Sequence, residues 1–599
     1  MPGGLIQLVA KGAQDQLVNG SPSYTHFRSV YKRHTDFAME HFRLSFKTTN
    51  LSIPTNKNLT LRAKVDRNAQ LLNDCYLSLT LPNIFSPVSR IFQNLISGGQ
   101  IYDTNRVILD GGTSSGSSGV PLSGGTPTSS NLQLNNAIGY EFQWIPNIGY
   151  NMINYVSVVI NGQEIVRHTG EWMKLRSALD LNGTKKLVLD QLTGNVPEMY
   201  DPANAWDRLN QYPHSISTAI SLAEPSISGR VLTVPFHFWF CEDVGSALPL
   251  IALQHSEVEF VVELRNIYQL FTIIDVDQTS PTFGTRVAPN QSNPLHSITN
   301  FLSPPTYSIA PVPTNPSLTS WNTNAFIECN YIFLNDAELI HIAKTDHSFI
   351  IKQLDIVTKF GQYGPSNDLE LTLRNLCTRI VWVAQRSDVV AVNQYDNYTN
   401  WYTSNKPPLL NTGSAMTPWY SSGSALGTNV SQRDILLETS IILDGAERFN
   451  YKQTEFFSRI QNYRHQFGLS NVEFPGLYSY SFALEHIKTQ PSGHINGSMF
   501  NRTVLRNTYV QPPLVPGTAG VTQVCVLKST ALSNNPTIVL NPNALGTNGK
   551  PLYGPDDLVT IVRKTDGQTL QYTYNVRAFT ESYNFLRVLG GVANVVFSS

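Results

Sequence analysis

The chain has 599 residues, 41% hydrophobic and 14% charged, with a formal net charge of −1. Cores are therefore within reach, but there is no basic excess to neutralise a phosphate backbone, and direct nucleic-acid binding is not expected. Low charge with abundant Asn, Ser, Thr, Gly and Pro favours strands, turns and long loops over helices. The five cysteines (Cys75, Cys241, Cys329, Cys377, Cys525) show no C-x-x-C spacing and read as reduced, buried thiols. The N-terminus lacks the pattern of a secretory signal, and no apolar run approaches 18 residues.

Residues 1–37 read as a glycine-rich and polar arm. Its basic cluster Arg28, Lys32, Arg33, His34 is taken as a solvated face. Strands are predicted at 38–47, 58–65 and 75–82. A long loop over 83–150 follows, in which 18 of the 20 residues from Gly111 to Ser130 are Gly, Ser, Thr or Pro. The G-x-S-x-G match at Gly112–Gly116 inside it lacks the strand and helix that a nucleophile elbow needs.

The most informative stretch is Asn154 to Met173. An apolar β-rich run, Tyr155 to Ile160, turns on Asn161-Gly162, the dipeptide suited to a two-residue hairpin turn with φ > 0 at both positions. Residues 174–230 show no lasting period and read as another long loop. Val231 to Phe240 and His255 to Leu264 are predicted strands. Residues 266–323, rich in Pro, Thr and Ser, read as a linker.

A second domain is predicted over 324–599. It opens with a strand at Ala325 to Leu334, then a helix capped at Asn335 and running to Lys344. Strands follow at 348–358 and 369–385, with long loops over 386–433 and 510–560. The hairpin then recurs: Ile441-Ile442-Leu443, Asp444-Gly445, and a return strand. A helix is predicted at 451–463, strands at Leu477 to Leu484, Leu570 to Phe579 and Asn584 to Phe597. The acid–aromatic pairs Glu171-Trp172 and Glu455-Phe456 follow their turn glycines by nine and ten residues and are expected to cover the ends of two sandwiches. One domain in two copies is the simplest reading.

Several segments resemble the major capsid proteins of the nucleocytoplasmic large DNA viruses. They are Gly3 to Ala10 with Gly12 to Asp15, Tyr31 to Glu40, Ile160 to Ile165, Gly170 to Met173, Phe238 to Cys241 with Ala247 to Gln254, Asp444-Gly445 with Glu447 to Phe449, Tyr478 to Leu484, Gln490 to Gly493, and Tyr583 to Arg587. The resemblance implies an all-β fold of two tandem eight-stranded antiparallel jelly rolls, at 38–265 and 324–599. It also implies a homotrimeric, pseudo-hexagonal capsomer tiling an icosahedral shell, made in host cytoplasm. Neighbouring capsomers and minor capsid and penton proteins would be its partners, the inner membrane being met indirectly.

No catalytic, cofactor-binding or metal-binding residue is expected. His255 and Glu257 are isolated, as are Glu40 and His41, and Tyr463-Arg464-His465 reads as packing at a helix end. N-x-S/T sequons include Asn19, Asn58, Asn182, Asn290, Asn397, Asn429, Asn496 and Asn501, and the loop sites Asn182, Asn397 and Asn429 are the candidate glycosylation sites. Two other readings compete. A carbohydrate-binding sandwich would use the loop aromatics Trp401, Tyr402, Trp419 and Tyr420. A double-cupin enzyme would need a His/His/Glu metal set that this spacing does not offer.

Overall fold

A computed structural model describes residues 19–29, 31–48, 51–54, 57–86, 140–208, 212–215, 224–275, 286–304, 320–401, 433–468, 474–488, 490–512, 521–527, 538–539, 558–564 and 572–597, with a few scattered positions besides. The loop at 111–130 and Asn429 lie outside the described residues.

The strands of the first frame are β1 (Phe37–Ser45), β2 (Leu59–Lys64), β3 (Leu71–Leu81), β4 (Ile153–Ile160), β5 (Gln163–Thr169), β6 (Arg230–Pro235), β7 (Val258–Leu264) and β8 (Phe326–Leu334). Those of the second are β9 (His347–Gln362), β10 (Asn367–Leu371), β11 (Leu376–Arg386), β12 (Leu436–Leu443), β13 (Ala446–Glu447), β14 (Leu477–Ser481), β15 (Thr503–Tyr509) and β16 (Tyr574–Leu589). In the first repeat one sheet runs β1-β8-β3-β6 and the facing sheet β2-β7-β4-β5. In the second the orders are β9-β16-β11-β14 and β10-β15-β12-β13. The two sets match strand for strand, all pairs are antiparallel, and each is a jelly roll.

Alternation explains the layers. In β3, Leu77, Leu79 and Leu81 join the first core, while Tyr76 and Thr80 face away. In β11, Ile380, Trp382 and Ala384 fill the second core, and Val381 and Val383 face the other way. The two predicted turns share one conformation. Asn161 and Gly162 have φ of 51° and 80°, and Asp444 and Gly445 have φ of 47° and 85°.

Three expectations need correction. The strand at 326–334, assigned from sequence to the second domain, pairs along its length with β1 and also with β3. The first roll therefore closes at Leu334 rather than near 265, and 266–323 is an insertion before its last strand rather than a linker. Phe271, Ile273, Phe301 and Trp321 from that insertion lie in the first core. The stretch 174–230 is not one loop, because it carries most of helix α1 (Gly170–Asp180) and all of α2 (Gly183–Thr193). Thr169 caps α1, Asn182 caps α2, and Gly194 ends α2 in the left-handed region. The predicted strand at 231–240 ends at Pro235, and Trp239–Glu242 is a helical turn.

The second repeat carries α3 (Asp336–Lys344), capped by Asn335 as expected. It also carries α4 (454–465), whose middle, Phe456–Ile460, is π-helical. β9 and β16 are long enough to reach past their own roll: Ile351, Leu586 and Val588 join the first core. Nothing lies within 4 Å of a Cβ built on Gly162 or Gly445. Gly162→Ala and Gly445→Ala should thus each cost only the left-handed backbone penalty, about 1–2 kcal/mol. Thermal unfolding of the two variants should show similar small losses.

Candidate functional site

The residues that set the shape of this molecule lie where the two rolls meet, and helix α1 supplies most of them. Met173 points into the first core. The opposite face, Trp172, Leu175, Ala178 and Leu179, packs against Val381, Val383, Leu477 and Phe579 on the outward face of the second roll's β9-β16-β11-β14 sheet, with Tyr398 and Phe474 closing the sides. The Trp172 and Phe579 rings stack at 5.4 Å. Gly468 donates its N–H to Leu179 O at 2.8 Å, and a Cβ there would stand 1.9 Å from Ala178 O, so no larger residue fits this approach.

Charges at the seam are buried and paired across it. Arg379 of β11 is fully buried. It donates from its two Nη atoms to both oxygens of Asp180 at 2.7 and 2.9 Å, and from Nε to Glu581 of β16 at 2.6 Å. Arg176 donates to Asp180 at 3.2 Å and to His237 O at 3.1 Å, and pairs with Glu242. His486 lies 3.3 Å from Asp180, and Lys352 donates to His486 O at 2.8 Å. Further along α1, Lys174 is fully buried. It pairs with Asp396 and donates to Asn151 at 3.0 Å. Arg577 and Tyr398 donate to Glu171 at 2.7 and 3.0 Å. The pair Glu171-Trp172 therefore does not cover the end of a sandwich; it is sealed between the two.

Electrostatics follow from this geometry. Burial works to raise the Asp180 carboxyl, yet Arg379 and His486 outweigh it and hold it well below the usual range. Burial likewise opposes ionisation of Glu581, but Arg379, Lys352 and Arg176 bring it to about 2. Beside them, burial and then Arg176 push His168 and His237 down to about 3, so both are neutral near pH 7.

The seam has the chemistry of a joint, its buried charges engaged in pairs that tie the two rolls together. Among the described residues no group of three or more His, Cys, Asp or Glu is placed to hold a metal. Nor is any helix there long and apolar enough to cross a membrane. Glu257 is an exposed partner of Lys64 at 2.5 Å, and His41 lies exposed on β1. Asn182 is exposed and its side chain accepts from Lys185 N at 2.9 Å. Asn397 is 1% exposed; it accepts from Thr399 and donates to Trp401 O at 2.9 Å, so its amide is closed to a glycan in the folded chain. Trp401 is half-buried under Arg433, and Tyr402, Trp419 and Tyr420 lie outside the described residues. Sequence reading missed Lys174, Arg176, Asp180, Arg379 and Glu581. The signal was present: charges inside otherwise apolar strands and helices of a charge-poor chain mark buried pairs.

Comparison with known proteins places the fold. A family model described as "Major capsid protein N-terminus" matches residues 126–334, and one described as "Large eukaryotic DNA virus major capsid protein" matches 338–535. The break between them falls where hydrogen bonding ends the first roll. The major capsid protein of Phaeocystis pouchetii virus is 25% identical over 567 residues, covering 84% of this chain and 92% of that protein. That of Paramecium bursaria Chlorella virus 1 is 23% identical over 609 aligned positions, covering 100% of both. Among solved structures, the quasi-atomic PBCV-1 virus capsid matches with a TM-score of 0.56 at 18% identity, over 96% of this chain and 100% of that one. The Faustovirus major capsid protein matches with a TM-score of 0.53 at 11% identity, over 94% and 93%.

Two predictions follow from the seam. Arg379→Met leaves Asp180 and Glu581 buried without their partner and should cost about 3–5 kcal/mol in denaturant unfolding. Stability should also fall with acid. Below about pH 6.5 the unfolded chain protonates its histidines, whereas His168 and His237 stay neutral in the fold to about 3. Stability is thus complete above pH 6.5 and lost as pH drops towards 3. Glu581 adds its own loss from 4.5 down through about 2. Denaturant midpoints at pH 7.5, 5.5 and 4 measure this, and His168→Phe should flatten the slope between the first two.

Proposed function

The chain belongs to the major capsid protein family of large eukaryotic DNA viruses, and from that premise we propose how it builds a shell. It is a structural protein of the virion capsid, not an enzyme, and proteins of this kind associate with one another. Our finer reading is that three copies form a pseudo-hexagonal capsomer. The observation that carries it is the strand-for-strand match of two jelly rolls set side by side in one chain. Two similar rolls in each of three chains make six near-equivalent sides, so a threefold particle can occupy a sixfold lattice position. The fixed seam makes each chain a rigid two-roll block. A charge-poor surface lets identical blocks approach without strong repulsion.

In this reading capsomers tile an icosahedral shell beside minor capsid and penton proteins. The N-terminal arm lies on the inner side, and assembly takes place in host cytoplasm. Asn182, at the start of α2, remains the candidate glycan carrier. The test is the mass of the purified protein by light scattering, with negative-stain images of the same fractions. A chain of 66.6 kDa should run at about three times that mass, with hexagonal outlines. A stable monomer that binds sugars on a glycan array would overturn the reading in favour of a carbohydrate-binding sandwich.

A further inference from the structure

The two rolls are copies, but their equivalent helices meet different fates. Aligning the acid–aromatic pairs sets Glu171-Trp172 on Glu455-Phe456, and so α1 on α4. The inner faces agree: Met173 and Phe457 each enter their own roll's core, and Ser177 and Gln461 are both buried. The outer faces do not. On α1, Leu175 and Leu179 are fully buried against the second roll. Their counterparts on α4 are Arg459 and Tyr463, and Tyr463 is 91% exposed. Ile460 (44%) and Phe467 (63%) extend the patch. His465 Nδ1 lies 3.3 Å from Leu484 O, which brings the 74% exposed Leu484 beside them. Isolated exposed apolar residues are ordinary, but Ile460 and Tyr463 on α4, Phe467 just past its end and Leu484 beside it form a group that marks a contact surface.

We infer that α4 docks on the outward face of the β1-β8-β3-β6 sheet of a second copy of this chain, repeating between molecules the contact that α1 makes within one. This rests on the trimer reading above and assigns the residues of its interface. The donor is α4 with Ile460, Tyr463, Phe467 and Leu484. The acceptor follows from the same equivalence, since α1 sits on the outward face of the sheet that corresponds to β1-β8-β3-β6. On that sheet Leu77, Leu79, Ile327, Leu232 and Val234 point into the core, so the alternate residues face out. They include Tyr76, Phe326 and Val231, the last 59% exposed. Met39 of β1, 52% exposed, borders them. The intermolecular contact is head-to-tail: the second roll of one copy meets the first roll of the next. A head-to-tail contact closes into a ring when its rotation is a whole fraction of a turn, one third for a trimer, and alternation with the intramolecular seam gives each roll one α-helical donor and one acceptor sheet.

The intermolecular version differs in one respect. The buried ion cluster of α1 has no counterpart on α4, where Glu455 and Arg459 form an exposed pair at 3.9 Å. The contact between copies is therefore apolar with a polar rim, a surface that can dissociate without leaving buried charges unpaired.

The test uses the full chain. Tyr463→Glu combined with Phe467→Glu changes exposed side chains and should leave the circular-dichroism spectrum unchanged while converting trimer to monomer by light scattering. In parallel, a photo-crosslinking p-benzoylphenylalanine at position 463 of the otherwise unaltered chain should join peptides carrying Tyr76, Val231 or Phe326 of another copy. A double variant that remains trimeric overturns the inference, as do crosslinks that map to the second roll of the other copy or fail to form. In each of those cases an unaltered chain that is itself trimeric keeps the trimer reading, and a monomeric unaltered chain removes both.

Discussion

A guanidinium held in a buried seam by two carboxylates from different rolls is the constraint on which the rest of this molecule depends. Arg379 has its forked Nη pair on Asp180 and its Nε on Glu581, and no exposed surface. Such a cluster is a poor source of net stability, because desolvating each ion costs about as much as the pairing returns. Its consequence is geometric. The planar fork accepts its partners in one orientation, so α1 can lie on the second sheet in one register. Lys174 with Asp396 and Arg577 with Glu171 repeat the arrangement along the same helix. The apolar face of α1, with Trp172 on Phe579, supplies the attraction, and the ions decide where it settles.

That division of labour connects packing to function. A shell block must keep the angle between its two rolls while many neighbours press on it. Apolar contact alone tolerates sliding, whereas a displaced Arg379 would leave two buried carboxylates without their counter-charge. β9 and β16 add a second tie, reaching from the second roll into the first core through Ile351, Leu586 and Val588. The contact we propose between molecules lacks the ions, so the same helix position would serve as a permanent joint inside the chain and a reversible one outside it.

Much of this was legible in the residues. Asn161-Gly162 and Asp444-Gly445 require positive φ, and both adopt it, so the duplication could be read from two turns. The strand predicted at 75–82 and the Asn335 cap also carried through to the fold. What was hidden depends on distance in the chain. The strand Phe326–Leu334 closes the first roll by pairing with β1 almost 300 residues earlier, and no local pattern distinguishes it from the opening strand of a new domain. Helix α1 escaped notice because Lys174 and Arg176 interrupt its apolar period, and their burial is decided by distant partners, Asp396 for Lys174 and Glu242 for Arg176. Asn397 shows the same limit from the other side: its sequon is local, but its burial is not.

The central claim is that these two repeats form one mechanical unit. Differential scanning calorimetry of the intact chain at neutral pH tests it most directly. If the seam couples the rolls as described, both melt in a single transition whose van't Hoff and calorimetric enthalpies agree. Two separate transitions, each with the enthalpy of one roll, would mean that the junction is a hinge, and would contradict the account.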